Sequence, residues 1–232
     1  MKLNDCEVAY SPSRFELLGR IRRKADKIMT ALSSSGFIPS IHGSVTRGDV
    51  RIDSDIDIVI PYVVSSYSVE LALNLKGFKI YARKIAQATP SHAIKAHIFL
   101  DAEMKECITF PLIPFRRLEL EFYKFGGLLD LSSLQKGMRV PGCNKRLMLI
   151  QPTSRGHIEF SIIGREVEVA KIVGISLEIV NERVRVLTRR KEVGRTGIVL
   201  SINLKEDEVF EEVLRRVAGS NPIVGRRIRG WR

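Results

Sequence analysis

Cysteine is scarce in this 232-residue chain, and its three copies, Cys6, Cys107 and Cys143, lie far apart. No Cys-x-x-Cys pair occurs, so the sequence indicates neither a disulfide framework nor a cysteine-based zinc site. A chain of this length buries a sizeable core without such cross-links. We therefore expect a protein of a reducing compartment, and we take the cytoplasm as its location.

Long apolar runs are also missing. No stretch is long enough to cross a bilayer, and residues 1–7 lack the apolar core of a signal peptide. We therefore expect no membrane partner.

Acidic residues are outnumbered, because 26 Asp and Glu stand against 38 Lys and Arg, for a net charge of +12. Such a charge raises the local concentration of polyanions, which makes RNA or DNA a reasonable partner. A surface rich in ion pairs, as in proteins of hot-growing organisms, explains the same composition. Composition leaves both readings open.

Residues 42–60 carry the strongest chemical signal and read HGSVTRGDVRIDSDIDIVI. Gly43 and Ser44 stand at a predicted helix start, where backbone N–H groups can bind phosphate. Asp55 and Asp57 follow in an otherwise apolar strand, on which alternate side chains share a face. Two neighbouring carboxylates repel, which favours a bound cation, and Mg²⁺ prefers such oxygen ligands. A metal beside a phosphate cradle indicates nucleotidyl transfer.

This segment resembles the DNA polymerase β-like nucleotidyltransferase superfamily. The signature of that superfamily is an apolar strand, Gly-Ser, a short helix and then Asp-x-Asp on the next strand. Here it reads Gly43-Ser44 and then Ser54-Asp55-Ile56-Asp57, and Arg47-Gly48 fits the small, single-chain members of archaeal type. The resemblance covers residues 35–62 well and says little about the second half of the chain.

The resemblance implies a metal site with three carboxylates. Asp55 and Asp57 would bind Mg²⁺ or Mn²⁺, and a third carboxylate on a neighbouring strand would help to deprotonate the attacking hydroxyl. We assign Glu106 as this third catalytic ligand because it begins an apolar strand, and Asp101 and Glu103 are the alternatives.

Gly43, Ser44 and Arg47 are assigned to the nucleotide. Gly43 lets the backbone approach the phosphates without a Cβ in the way, and Ser44 offers its hydroxyl and N–H. Arg47 either reaches the triphosphate or pairs with Asp49, and both readings stay open. The donor is expected to be a nucleoside triphosphate, by default ATP, and the acceptor a hydroxyl on RNA, a protein or a small molecule.

Helices mixed with partly sequential strands predict an α/β (α+β) fold, with a mixed sheet flanked by helices. We expect a nucleotidyltransferase domain over residues 1–115 and a second, basic, mainly helical or mixed domain over 116–232. A first helix carries several basic residues that form either a solvated face or a grip on nucleic acid. These residues are Arg14, Arg20, Arg22, Arg23 and Lys27.

Two basic stretches stand out in the second half. Residues 166–190 resemble a helix-turn-helix, whose second helix can enter a nucleic-acid groove, although we favour a plain helical hairpin that packs on the catalytic domain. From Arg215 onward the chain has six arginines and no acid, which predicts a flexible basic tail or a frayed solvated end, with Trp231 as a possible stacking residue.

A rival function is a non-catalytic nucleic-acid-binding or nucleotide-sensing regulator on the same fold. A missing third carboxylate would favour it. The fold alone chooses neither the acceptor, nor the base preference, nor the oligomeric state.

Overall fold

The computed structural model of the protein describes residues 5–194 and 197–230. The strands are β1 (Cys6–Ala9), β2 (Ser40–His42), β3 (Ile56–Val59), β4 (Ala82–Gln87), β5 (Lys95–Phe99), β6 (Glu106–Pro111), β7 (Leu128–Asp130), β8 (Gly142–Cys143), β9 (Met148–Thr153), β10 (Gly156–Ser161) and β11 (Leu200–Asn203). The helices are α1 (Pro12–Ser33), α2 (Ser44–Arg47), α3 (Ser66–Leu75), α4 (Arg117–Phe125), α5 (Leu131–Gln135), α6 (Glu166–Val173), α7 (Leu177–Val193), α8 (Phe210–Ser220) and α9 (Pro222–Arg229). The predicted α/β class, with a mixed sheet and helices, is confirmed.

The chain forms two compact units, and each is assembled from three separate stretches. In the described ranges the first unit holds residues 5–27, 40–56 and 120–194, and the second holds 28–39, 57–119 and 197–230. The functional division that we placed between residues 115 and 116 stays a prediction. In the described part of the chain, no helix is both long and apolar enough to cross a membrane.

The second unit is built on a sheet in the strand order β11-β4-β5-β6-β3. The pairs β11–β4, β4–β5 and β5–β6 are antiparallel. One face of this sheet is fully buried, where Ile85 on β4 pairs with Ala96 on β5 and Ile98 on β5 pairs with Ile108 on β6. Phe110 extends this face and meets Phe210 of α8 at a ring-centroid distance of 5.9 Å. Burial of these side chains supplies the main driving force for folding of this unit.

The opposite face of the same sheet is polar and only partly covered. Lys84, His97 and Thr109 lie side by side on β4, β5 and β6, and the His97 Nδ1 atom lies 2.9 Å from the Thr109 hydroxyl oxygen. Burial, together with the smaller effect of the positive charges of Lys95 and Lys84, lowers the pKa of His97 to about 4. The imidazole is therefore neutral at physiological pH.

The first unit contains the antiparallel sheet β1-β10-β9-β8, the β2–β7 pair and the α6–α7 hairpin. The predicted glycine turn in this hairpin is present, with Gly174 at φ +71°. Ser176, the N-cap of α7, donates through its N–H and its hydroxyl to the Glu121 carboxylate on α4. The Arg183 guanidinium lies over the Phe122 ring at 5.0 Å. These contacts hold α7 against α4, and a role of α7 in a nucleic-acid groove stays a prediction.

The prediction of a flexible or frayed tail from Arg215 was wrong for the described residues. This segment belongs to the helices α8 (210–220) and α9 (222–229). Phe210, Val213 and Val224 are buried and pack these helices against the rest of the second unit. Trp231 and Arg232 lie outside the described residues.

We expect His97 to make stability depend on pH between about 6.5 and 4. The unfolded chain binds a proton at His97 below about pH 6.5, whereas the folded protein binds it only near pH 4. The free energy of unfolding should therefore fall as the pH falls through this window, by at most about 3 kcal/mol. Urea unfolding at pH 7 and pH 4.5 should show a larger loss for the wild type than for His97→Gln. Equal losses in the two proteins would contradict this assignment.

Candidate active site

The Gly-Ser turn, residues 43–47, is a tight bend between β2 and β3. Gly43 has φ +93° and ψ −152°, a backbone conformation that is open essentially only to glycine. Its N–H donates to the Gly127 carbonyl at 3.1 Å, and its own carbonyl accepts from the Thr46 hydroxyl at 2.8 Å. The predicted short helix after Gly-Ser is present as the single turn α2. The bend is thus held by hydrogen bonds to both sides of Gly43.

Two glycines outside the motif let a neighbouring backbone pack closely against this turn. A Cβ added to Gly127 would lie 2.5 Å from the Thr46 hydroxyl oxygen, and one added to Gly142 would lie 2.4 Å from the Gly127 nitrogen. Any other residue would push these segments apart. The sequence carried no specific signal for this role, because a glycine after a helix is explained by helix termination alone.

Arg22 on α1 caps the C-terminal end of α2. Its guanidinium donates to the carbonyls of Val45 and Thr46, at 3.1 and 3.4 Å, and also to the Met138 carbonyl. These are carbonyl groups that a short helix leaves without intrahelical partners. Burial, together with the smaller effect of the nearby Arg139 charge, lowers the pKa of Arg22 to about 10. The prediction that Arg22 belongs to a solvated face or to a nucleic-acid-binding face was wrong, because its guanidinium caps α2.

Arg47 pairs with Asp49, the second of the two readings left open above. Its Nε and Nη2 atoms donate to the two Asp49 oxygens, each at 3.0 Å, and Nη1 donates to the carbonyls of Gly126 and Cys143. The Arg47 side chain is only 6% exposed. These contacts favour a structural role, and its assignment to the nucleotide stays a prediction.

The loop before β3 brings Ser54, the residue that precedes Asp55, next to the Gly-Ser turn. The Ser54 hydroxyl oxygen accepts the N–H of Arg51 at 2.8 Å and closes the loop. The same oxygen accepts the Ser44 hydroxyl at 3.3 Å. Since Asp55 follows Ser54 directly, the serine of the turn and the first carboxylate of the motif are neighbours. No feature of the sequence predicted this serine–serine contact.

The two motif carboxylates differ in their surroundings. Asp55 is exposed and directly precedes β3, whereas Asp57 is half-buried between the fully buried Ile56 and Ile58. Asp57 is therefore more exposed than both of its neighbours in β3, although Val59, two residues further on, is buried. Carboxylates at the edge of an apolar strand are suited to hold a hard divalent cation.

The three candidates for the third carboxylate lie in one hairpin of the second unit. Asp101 accepts the N–H groups of Lys105 and Glu106, each at 2.8 Å, so it shapes the β5–β6 turn. Glu103 forms an ion pair with Lys105 at the exposed end of that turn. Glu106 is half-buried at the first position of β6. Asp101 and Glu103 thus have structural partners, and Glu106 as the third ligand stays a prediction.

The structure does not by itself display a complete metal centre. Within residues 5–194 and 197–230, no group of three or more His, Cys, Asp and Glu side chains is close enough to hold a metal ion. The assignment of Asp55 and Asp57 as metal ligands stays a prediction.

Gly43→Ala tests how strongly the fold depends on the Gly-Ser turn. The added Cβ has open space, with no atom within 4 Å, but the residue would keep a strained positive φ. We expect a loss of about 1–3 kcal/mol in the free energy of unfolding, measured by urea denaturation. The matched control is Gly219→Ala inside α8, which also has room and should be stabilising by about 0.5–1 kcal/mol. An unchanged or raised stability for Gly43→Ala would show that the turn relaxes freely.

Comparison with known proteins identifies the same part of the chain. Residues 40–110 match the nucleotidyltransferase domain family, and this segment includes the Gly-Ser turn, both motif carboxylates and the β5–β6 hairpin. Neither the curated proteins nor the solved structures show a significant match. Residues 40–110 are therefore similar to the nucleotidyltransferase domain family, consistent with the DNA polymerase β-like superfamily that the Gly-Ser and Asp-x-Asp motifs resemble.

Proposed function

We propose that the protein is a metal-dependent nucleotidyltransferase, which moves a nucleoside monophosphate from a nucleoside triphosphate to an acceptor hydroxyl. The observation that carries this proposal is the contact between the Ser44 and Ser54 hydroxyls at 3.3 Å. It joins the candidate phosphate-binding turn to the loop that ends in Asp55. The domain match over residues 40–110 supports nucleotidyl transfer as the general activity.

The Gly-Ser turn is suited to hold the triphosphate. The first N–H groups of a helix have no intrahelical acceptor, so those that open α2 can bind a phosphate oxygen. A Cβ at Gly43 would meet no atom within 4 Å, so the turn faces open space that a phosphate group can enter. Since α2 is a single turn, its dipole is small, and the binding energy would come from these local donors.

Asp55 and Asp57 would hold Mg²⁺ or Mn²⁺, with Glu106 as the proposed third ligand. Their oxygens match the ligand preference of these ions. When bound, such a metal neutralises charge on the triphosphate and lowers the pKa of the attacking hydroxyl. The role of the chain is to hold the carboxylates close to the turn that orients the phosphates.

The donor is proposed to be ATP by default, because no described contact distinguishes among the bases. The acceptor hydroxyl belongs to RNA, a protein or a small molecule. The net charge of +12 supports RNA or DNA as a partner.

A second candidate function is a nucleotide-sensing or nucleic-acid-binding regulator without catalysis. It is favoured by the absence, within the described ranges, of any three-residue cluster that could hold a metal. The engagement of Asp101 and Glu103 in their own hairpin points the same way. Such a protein would bind nucleotide at the Gly-Ser turn and transfer nothing.

Removing either motif charge should abolish transfer. Purified protein is incubated with labelled nucleoside triphosphates, Mg²⁺ or Mn²⁺ and total RNA, and label transfer is measured. We expect Asp55→Asn and Asp57→Asn each to lower the rate at least about hundredfold, because the metal loses a charged ligand. The matched control is Asp53→Asn, which removes the same charge from the same loop.

Asp53 makes only a surface ion pair with Arg51 at 3.5 Å, so the control should keep its rate. Wild-type rates in both motif variants would refute the site. A wild-type protein that binds labelled nucleotide but transfers none would favour the regulator.

Glu106→Gln separates the third-ligand candidates. If Glu106 is the third ligand, Glu106→Gln should lower the transfer rate at least about tenfold at unchanged stability. Asp101→Asn should instead lower the free energy of unfolding by about 1 kcal/mol, because the Lys105 and Glu106 N–H groups lose a charged acceptor. Transfer rates and urea unfolding are measured for both. An unchanged rate in Glu106→Gln would remove Glu106 from the site.

A further inference from the structure

A small cavity in the second unit is lined by arginines from two distant parts of the chain. Its volume is about 280 Å³, a little below the usual range for sites of drug-sized ligands. The lining residues are Pro90, Arg116, Ile223, Arg226, Arg227 and Gly230. We call this the arginine cavity.

The charge around the arginine cavity is poorly balanced. Arg116 stands directly before α4, and Arg226 and Arg227 lie near the end of α9. The nearby Glu119 carboxylate is buried and already accepts the N–H groups of Ala93 and Arg116, at 2.9 and 3.1 Å. One such carboxylate cannot neutralise three guanidinium groups, so the cavity keeps a positive potential.

The electrostatic effect on Arg227 agrees with this imbalance. Burial lowers the pKa of Arg227, the charge of Arg116 lowers it further, and Glu119 opposes both effects. An anion between the two guanidinium groups would relieve their repulsion.

The arginines also have unused hydrogen-bond donors. A guanidinium carries five N–H groups. That of Arg227 donates from Nη2 to the Pro114 carbonyl at 3.3 Å, and its buried Nε has no acceptor. Within the described residues, the side chains of Arg116 and Arg226 make no hydrogen bond or ion pair, and both are exposed.

Stabilisation of a helix end explains only part of this cluster. Arg226, Arg227 and Arg229 stand in the last turns of α9, where positive charge complements the helix dipole. Arg116 belongs to a different segment, at the start of α4, where positive charge is unfavourable to the dipole. Its approach to the α9 arginines therefore points to a ligand.

We propose that the arginine cavity binds a phosphate group. Guanidinium groups donate two parallel hydrogen bonds to phosphate oxygens, and three of them around a small concavity match one phosphate. The phosphate belongs to a nucleic-acid backbone or is free inorganic phosphate. This proposal does not depend on the transfer activity proposed above.

The test removes two arginines from the cavity and compares them with a matched pair elsewhere. Arg116→Gln/Arg226→Gln leaves Arg227 in place, because Arg227 also supports the Pro114 carbonyl. The control, Lys136→Gln/Lys145→Gln, removes the same charge from exposed positions that lie outside the arginine cavity and outside α7. Thermal unfolding checks that all proteins are folded, and Arg116→Lys/Arg226→Lys keeps the charge but loses the paired donors.

Two probes distinguish the sources of phosphate. A labelled single-stranded RNA oligonucleotide is titrated over a range of salt concentrations, and inorganic phosphate is titrated by calorimetry. We expect the Gln cavity pair to lower oligonucleotide affinity roughly tenfold. The slope of log affinity against log salt should fall by about 0.7 for the lost phosphate contact. The control pair should change affinity less, and Arg116→Lys/Arg226→Lys should recover only part of the loss.

Each outcome decides the proposal. A loss of oligonucleotide binding specific to the cavity pair supports a backbone phosphate. A loss of inorganic phosphate binding alone supports a free phosphate as the ligand. Equal losses in the cavity pair and the control pair, or no loss in the cavity pair with either probe, would overturn the proposal.

Discussion

The candidate active site depends on one close approach between backbones in the first unit. Gly142 packs directly against Gly127, and the Gly127 carbonyl accepts the N–H of Gly43. The position of the Gly-Ser turn is thus set by backbone atoms instead of long side chains. Closely packed protein interiors deform very little, so the Gly-Ser turn is held rigidly. Nucleotidyl transfer depends on positioning of phosphates, and a rigid turn is the support that this chemistry needs.

The excess of arginine serves at least two different purposes. Arg47 is buried and Arg22 is half-buried, and both donate to backbone carbonyls around α2, so their charge stabilises the fold and is not available to a polyanion. Arg116 and Arg226 are exposed beside the arginine cavity, and their guanidinium groups have unused hydrogen-bond donors. A net charge of +12 alone cannot separate these roles, since the difference lies in burial and in hydrogen-bond partners.

Local patterns predicted most of the elements that carry the motifs. The glycine before α2, the apolar strand β3 and the hairpin before Glu106 each follow from short-range rules, and each is present. The segment from Arg215 was misread because its buried residues are spaced among arginines. Charge dominated the interpretation there, although burial of Phe210 and Val224 decides the structure.

The sequence by itself determined the Gly-Ser and Asp-x-Asp motifs, the α/β class and the order of the elements around them, because these depend on residues close together in the chain. Only the tertiary structure decided that Arg22 caps α2, that Arg47 pairs with Asp49 inside the protein, and that Ser44 meets Ser54. The tertiary structure also placed Arg116 beside Arg226 and Arg227, which are more than a hundred residues away in the sequence. Such contacts depend on packing between distant segments, and no local pattern of residue types encodes where those segments meet.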